Sequence, residues 1–267
     1  MKYNLGFLQK WSNKITQRVC EIHGIDPNDI EKRALLGYNI KHNDAQIKLA
    51  KKEMELFHGS TTEKLIPVLD HGNFHHDFGQ GFYLTDNLEL AREWAVSYNE
   101  DTGYVHGYIL DKSKLNILDF RDYNILHWIA EIVSHRNPGT MSRYCKRLIE
   151  FLDQYKLDTS DVDVLIGYRA DASHFNIIKA FVQNQLDYTL LIPSIIKCES
   201  GTQICLKTNK AFDNLETTGA LERIDKLFAT NYNSRDLIVR MTLDKIVNSS
   251  KNTLDITYNS IMEGSYV

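Results

Sequence analysis

Residues 77–85 read Asp77-Phe78-Gly79-Gln80-Gly81-Phe82-Tyr83-Leu84-Thr85. Two glycines open the stretch and an aromatic, apolar run closes it, the pattern of a tight turn feeding a strand. Asp86-Asn87-Leu88-Glu89 follows as a capping box, and Leu88, Ala91, Ala95 and Tyr98 share one side of the helix it starts. Turn, strand and capped helix within about twenty residues set the grain of the chain: short strands separated by helices, with functional groups at the joins.

Working outward, residues 54–58 form a short strand stopped by Gly59. Ser60-Thr61-Thr62-Glu63 reads as another capping box, which predicts a helix burying Leu65, Ile66, Val68 and Leu69. Strands are predicted at 104–110, 115–119, 162–167 and 203–208, and helices at 123–135, 141–155, 171–185 and from 216 to about 247. Asn137-Pro138-Gly139 breaks the first two of those helices apart. Near the N-terminus, Leu5, Leu8, Trp11, Ile15 and Val19 mark one apolar helical face. Asp26-Pro27 starts a second helix, and residues 41–53 a third. Strands and helices mix without strict βαβ alternation, so the fold class is α+β. Three segments result: a helical N-terminal segment 1–53, a core 54–215 holding all the strands, and a C-terminal helix and tail 216–267.

The 267 residues, 43% hydrophobic and 25% charged, describe a globular chain rather than a disordered one. No run approaches the apolar length of a membrane span, and Lys2, Gln9 and Lys10 interrupt any secretory core, so a cytoplasmic protein is expected. Cys20, Cys145, Cys198 and Cys205 form no zinc or disulfide spacing, which fits a reducing compartment. Residues 1–53 carry ten Lys/Arg against six Asp/Glu, a net +4 on a chain whose total is -4. The basic segment reads either as a solvated helical surface or as an arm for an anionic partner; Lys10, Lys14 and Arg18 share one of its sides.

Three joins could carry chemistry. His58-Gly59-Ser60 ends a strand in an imidazole followed by a residue that lets a ligand approach the backbone. Asp77 to Thr85 offers two glycines and then an aromatic strand. In Gly201 to Thr208, alternation sets Gln203, Cys205 and Lys207 on one face, with Ile204 and Leu206 on the other, toward the core. Glycine signatures of the Rossmann or P-loop type are absent.

This ordered set resembles the ADP-ribosyltransferase superfamily in its His–Tyr–Glu branch. More closely, it resembles a bacterial family with HGS, DFGxGFYLT, an Asp-rich strand ending in glycine and a QxxxxT strand. The matching residues are His58-Gly59-Ser60, Asp77 to Thr85, Asp161 to Gly167 with Ala170-Asp171, and Gln203 to Thr208. The resemblance implies a split β-sheet core that takes NAD⁺ as substrate. His58, Tyr83 and Gln203 then form the catalytic set, with Gly59, Ser60, Asp77, Gly79, Gly81 and Phe82 joining His58 and Tyr83 around the nucleotide. By the same resemblance, His58 holds ribose hydroxyls, the Gly59 backbone pairs with the nicotinamide carboxamide, Tyr83 stacks on the nicotinamide ring, and Glu199 lies in the loop that recognises the acceptor. The third position, usually glutamate, is Gln203. Its amide can hold the ribose 2′-OH of an oxocarbenium-like transition state but cannot act as a general base.

The reaction so implied is mono-ADP-ribosylation of a macromolecule, nucleic acid or protein, by a bacterial toxin or phage-defence effector with an antitoxin as a further partner. An NAD⁺ glycohydrolase and a non-catalytic nucleotide-binding module are the alternatives. Several neighbours read two ways. Asp77 caps a turn or joins the site; Arg136 ends a helix or meets a pyrophosphate; His71, His75 and His76 are loop histidines or metal ligands; Asp161, Asp163 and Asp171 are turn and cap residues or line the cleft. No metal site is expected.

Overall fold

A computed structural model describes residues 52–69, 74–96, 102–136, 145–170, 174–198, 201–226, 228–250 and 256–263. The chain divides between Lys51 and Lys52, and every described residue belongs to the C-terminal unit. The helices expected within residues 1–51, and Lys10, Lys14 and Arg18 with them, lie outside the described residues.

The described residues form seven strands in two sheets. In chain order the strands are β1 (Glu53–Ser60), β2 (Phe82–Leu84), β3 (Thr102–Asp111), β4 (Ile117–Asp119), β5 (Val164–Tyr168), β6 (Thr202–Leu206) and β7 (Leu215–Asp225). One sheet runs β1-β3-β7 and the other β2-β6-β5-β4; only the β4–β5 pair is parallel. Eight α-helices accompany them: α1 (Leu88–Ala95), α2 (Ile125–His135), α3 (Cys145–Leu152), α4 (Phe175–Val182), α5 (Leu191–Lys197), α6 (Asn209–Asp213), α7 (Phe228–Ser250) and α8 (Tyr258–Glu263). The class is mixed α+β.

The sheets meet at one isolated bridge. Phe57 N–H donates to the Thr85 carbonyl at 2.8 Å and Thr85 N–H to the Phe57 carbonyl at 3.0 Å. Strand β1 therefore pairs with β3 through its whole length and meets the second sheet in backbone pairing at this bridge, just past the end of β2.

Helix α1 lies across β1 and β3 because both strands present glycine to it. A Cβ on Gly59 would overlap the Ala91 carbonyl oxygen and stand 2.6 Å from Ala95 N; one on Gly103 would overlap the Ala95 carbonyl. Asn87 rather than Asp86 is the N-cap of α1, accepting from Leu90 N–H at 3.2 Å. Helix α2 packs on the second sheet, with Trp128 Nε1–H donating to the Tyr168 carbonyl at 3.0 Å.

Two expectations fail. The helix after Ser60 does not form: residues 61–68 are bends and extended chain, and Ser60 Oγ accepts only from Thr62 N–H at 3.1 Å. Pro67 explains this, since it lacks an N–H and disfavours helical geometry at Ile66, leaving that side chain exposed. The helix expected from Glu216 is instead strand β7, and the helix starts only at Phe228. Thr217-Thr218-Gly219 favours extended chain over helix, and Gly219 adopts φ 73° beside the register shift at His106/Tyr108. Residues 216–225 thus complete the first sheet, and the strands do not all fall within 54–215.

Candidate functional site

His58 sits where β1 leaves the bridge. Only a protonated Nδ1 can bond a carbonyl, so Nδ1–H donates to the Tyr83 carbonyl at 2.6 Å. The ring stacks on Phe82 with centroids 4.5 Å apart. Burial, with His106 adding repulsion, overrides that hydrogen bond and lowers the His58 pKa to about 4. His58 is therefore neutral at pH 7, with Nε2 left as the acceptor nitrogen of the ring. His106 stands opposite it in the β1–β3 ladder and donates through Nε2 to the Thr62 carbonyl at 2.9 Å.

Gly59 follows on the edge of β1 turned away from β3. Because Phe57 spends both its peptide groups on Thr85, alternation directs the N–H and C=O of Gly59 toward the same side, past the last bridge. On the face of β1 covered by α1, the Trp94 Cβ stands 2.9 Å from where a Gly59 Cβ would lie.

Tyr83 is held by the turn that precedes it. Its hydroxyl accepts from Phe78 N–H at 2.9 Å and donates to the Gly79 carbonyl at 2.6 Å. Burial, helped by the neighbouring Cys205 thiol, pushes the phenol pKa well up, so the hydroxyl keeps its proton. His76 packs edge-on against the ring at 5.2 Å. Gly79 takes φ 69°, a conformation open to glycine, and a Cβ there would stand 2.7 Å from the His135 ring. A Cβ on Gly81 would stand 2.7 Å from the Leu206 carbonyl.

Gln203 lies on the same face of the second sheet as Tyr83. The pairs Tyr83↔Cys205 and Gly167↔Gln203 set Tyr83, Cys205, Gln203 and Gly167 together. Gln203 is 8% exposed, and its Oε1 is buried with no hydrogen-bond partner among the described residues. Such an acceptor costs about 1–3 kcal/mol while it stays unpaired. Gly167 makes room for the rings of Phe78 and Trp128, which a Cβ would meet at 2.9 and 3.0 Å. Both faces of β6 are covered, not the Ile204/Leu206 face alone: Cys205 is as buried as they are, and burial raises its thiol to about 12.

The remaining expected residues divide. Phe82 faces away from Tyr83 and supports the His58 ring from the core side, against Tyr108 and Phe212. Asp77 is buried; Oδ1 accepts from Arg136 Nε–H at 2.6 Å and Oδ2 from Ala170 N–H at 2.9 Å. The Asp77–Arg136 pair thus ties the glycine turn to the end of α2 and to the residues after β5. His75 bonds the His135 carbonyl through Nδ1 at 3.3 Å. Asp163 gathers Asn116 N–H, Thr208 Oγ1–H and Lys210 Nζ, a structural junction away from this face. Glu199, His71 and Asp171 lie outside the described residues.

Sequence reasoning missed the work of Lys207. Lys207 stood on the Gln203 face by alternation, and that was the available signal.

Residues 54–217 match the model of a family described as Protein of unknown function (DUF3990), and the chain belongs to that family. No curated protein and no solved structure matches it.

Proposed function

We propose that this family member is a mono-ADP-ribosyltransferase that cleaves NAD⁺ and passes ADP-ribose to a macromolecule, its two sheets forming the split core of that superfamily. The observation that carries the reading is the Oε1 of Gln203, buried on the face that also bears Tyr83 and unpaired among the described residues. A buried acceptor lacking a protein donor suits a ligand hydroxyl, and the ribose 2′-OH is the donor the resemblance calls for.

The neighbouring groups suit the same ligand. His58 offers a neutral Nε2 acceptor for a ribose hydroxyl because its Nδ1–H is committed to Tyr83. The outward peptide groups of Gly59 match the donor and acceptor of a carboxamide. The Tyr83 ring supplies aromatic surface for the nicotinamide. In the reaction the C1′–N1 bond breaks and its electron pair leaves with nicotinamide; an acceptor lone pair then forms the new bond to C1′, and the acceptor's proton passes to solvent. Gln203 orients the ribose and moves no proton.

The neutrality of Gln203 favours one second reading, a module that binds NAD⁺ without cleaving it. Incubation with NAD⁺ carrying a label in its adenosine half, in a cell lysate later divided between nuclease and protease, separates the cases. Free nicotinamide with label on a macromolecule supports the transferase, and the enzyme that strips the label identifies the acceptor class. Nicotinamide with label only on free ADP-ribose marks a glycohydrolase. Binding without nicotinamide release sinks the catalytic reading.

A further inference from the structure

We propose that Lys207 is a positioning residue for this site: its ammonium sets the glycine turn, and through the turn the Tyr83 ring. The inference rests on the NAD⁺ reading above for its functional consequence and on the turn's geometry for its cause.

Lys207 follows β6 on the face that carries Tyr83 and Gln203, and its backbone is fixed by N–H donation to the Asp163 carbonyl at 2.9 Å. Its Nζ donates to the Phe78 carbonyl at 2.7 Å and to the Gln80 carbonyl at 2.6 Å. Between those two, the Gly79 carbonyl takes the Tyr83 hydroxyl at 2.6 Å, and Phe78 N–H donates back to the same hydroxyl at 2.9 Å. Three consecutive carbonyls are thus held by two side chains from paired strands.

These bonds of the ammonium run to neutral carbonyls, so here its charge serves the turn rather than a carboxylate. With Lys207 gone, Phe78 and Gln80 are released on either side of Gly79, and the anchor of the Tyr83 hydroxyl moves with them. The Tyr83 ring forms no bond and moves no proton in the reaction, so its displacement is expected to weaken substrate binding more than the chemical step.

The test compares Lys207→Met and Lys207→Arg in the full chain, by steady-state nicotinamide release and by amide hydrogen exchange across residues 76–83. Lys207→Met is expected to raise KM for NAD⁺ about tenfold, the equivalent of one charge-assisted hydrogen bond, with kcat within about threefold of wild type. Lys207→Arg, which can still donate to both carbonyls, is expected to bring KM back to within about threefold. Protection of the Phe78 and Gly79 amides should fall in the Met variant and persist in the Arg variant. A folded Lys207→Met with wild-type KM and protection overturns the proposal, as does an Arg variant no better than Met. If the wild-type chain releases no nicotinamide, the NAD⁺ reading falls and exchange alone decides: protection kept in Lys207→Met overturns the clamp, and protection lost upholds it.

Discussion

His58 and Tyr83 show how residue-level chemistry turns on partners the sequence does not display. The resemblance makes Tyr83 a stacking surface, for which a phenylalanine ring would do. The hydroxyl, however, bonds both Phe78 N–H and the Gly79 carbonyl. Tyr83→Phe leaves those two groups unpaired, so it should cost about 1–3 kcal/mol in urea unfolding and raise KM for NAD⁺ several-fold. Wild-type stability in Tyr83→Phe would show the turn is held without the hydroxyl. His58 carries a second prediction with a definite sign. Its folded pKa of about 4 lies below the ordinary 6.5, so the unfolded chain binds its proton first as pH falls. The stability due to keeping His58 neutral is complete above pH 6.5 and is lost progressively down to about 4, for a total of about 3 kcal/mol. His58→Gln should unfold with a correspondingly shallower pH dependence between 7 and 4, measured by urea titration at each pH. Equal slopes in the two proteins would mean that His58 is not buried neutral.

Among the elements, most of the strands and helices near the site follow from local pattern, and the two failures have local causes that pattern reading under-weighted. One proline in a capped segment outvoted its capping box; a Thr-Thr-Gly run and pairing with β3 outvoted a helical-looking tail. Glycine at 59 was legible as a place for ligand approach, but its second cause was hidden. Its missing side chain also admits helix α1, as does that of Gly103 on the neighbouring strand. The two glycines therefore make a controlled pair. Gly103→Ala and Gly59→Ala should each lose about 1–3 kcal/mol of stability by forcing α1 off the sheet, or more if the helix cannot shift. At conditions where both remain folded, Gly59→Ala should lose NAD⁺ affinity well beyond Gly103→Ala, because only Gly59 presents its peptide groups past the bridge. Equal affinity losses, followed by isothermal titration, would assign both effects to helix packing and remove the Gly59 backbone from the site.

At the scale of the whole C-terminal unit, what no sequence pattern could disclose is which distant segments share a buried charge. Glu93 of α1 is 9% exposed and lies 2.7 Å from Arg235 of α7 and 3.7 Å from Arg169, itself 4% exposed. Arg169 N–H in turn donates to the Gly201 carbonyl at 3.2 Å, just before the strand that carries Gln203. Helix α7 lies beyond residues 54–217, the part that matches the family model, yet it closes a network running from the helix beside Gly59 to the start of β6. The helical pattern after Glu216 is silent on the partner of α7, since each of these charges reads alone as a solvated surface group. The arrangement predicts strong non-additivity. Glu93→Gln takes away the carboxylate that two largely buried guanidinium groups share, so it should destabilise the unit by about 3–5 kcal/mol. Arg235→Met should cost less, because Glu93 keeps Arg169. In the double variant Glu93→Gln/Arg235→Met, one excess charge disappears along with the carboxylate, and an apolar side chain of similar length fills the α7 side. Part of the loss caused by Glu93→Gln should then be recovered, giving a coupling of about 1–3 kcal/mol in a urea double-mutant cycle. If the two single losses simply add, α7 is attached by its apolar contacts at Val239 and Leu243 and not through Glu93, and the link between the C-terminal helix and the Gln203 strand dissolves.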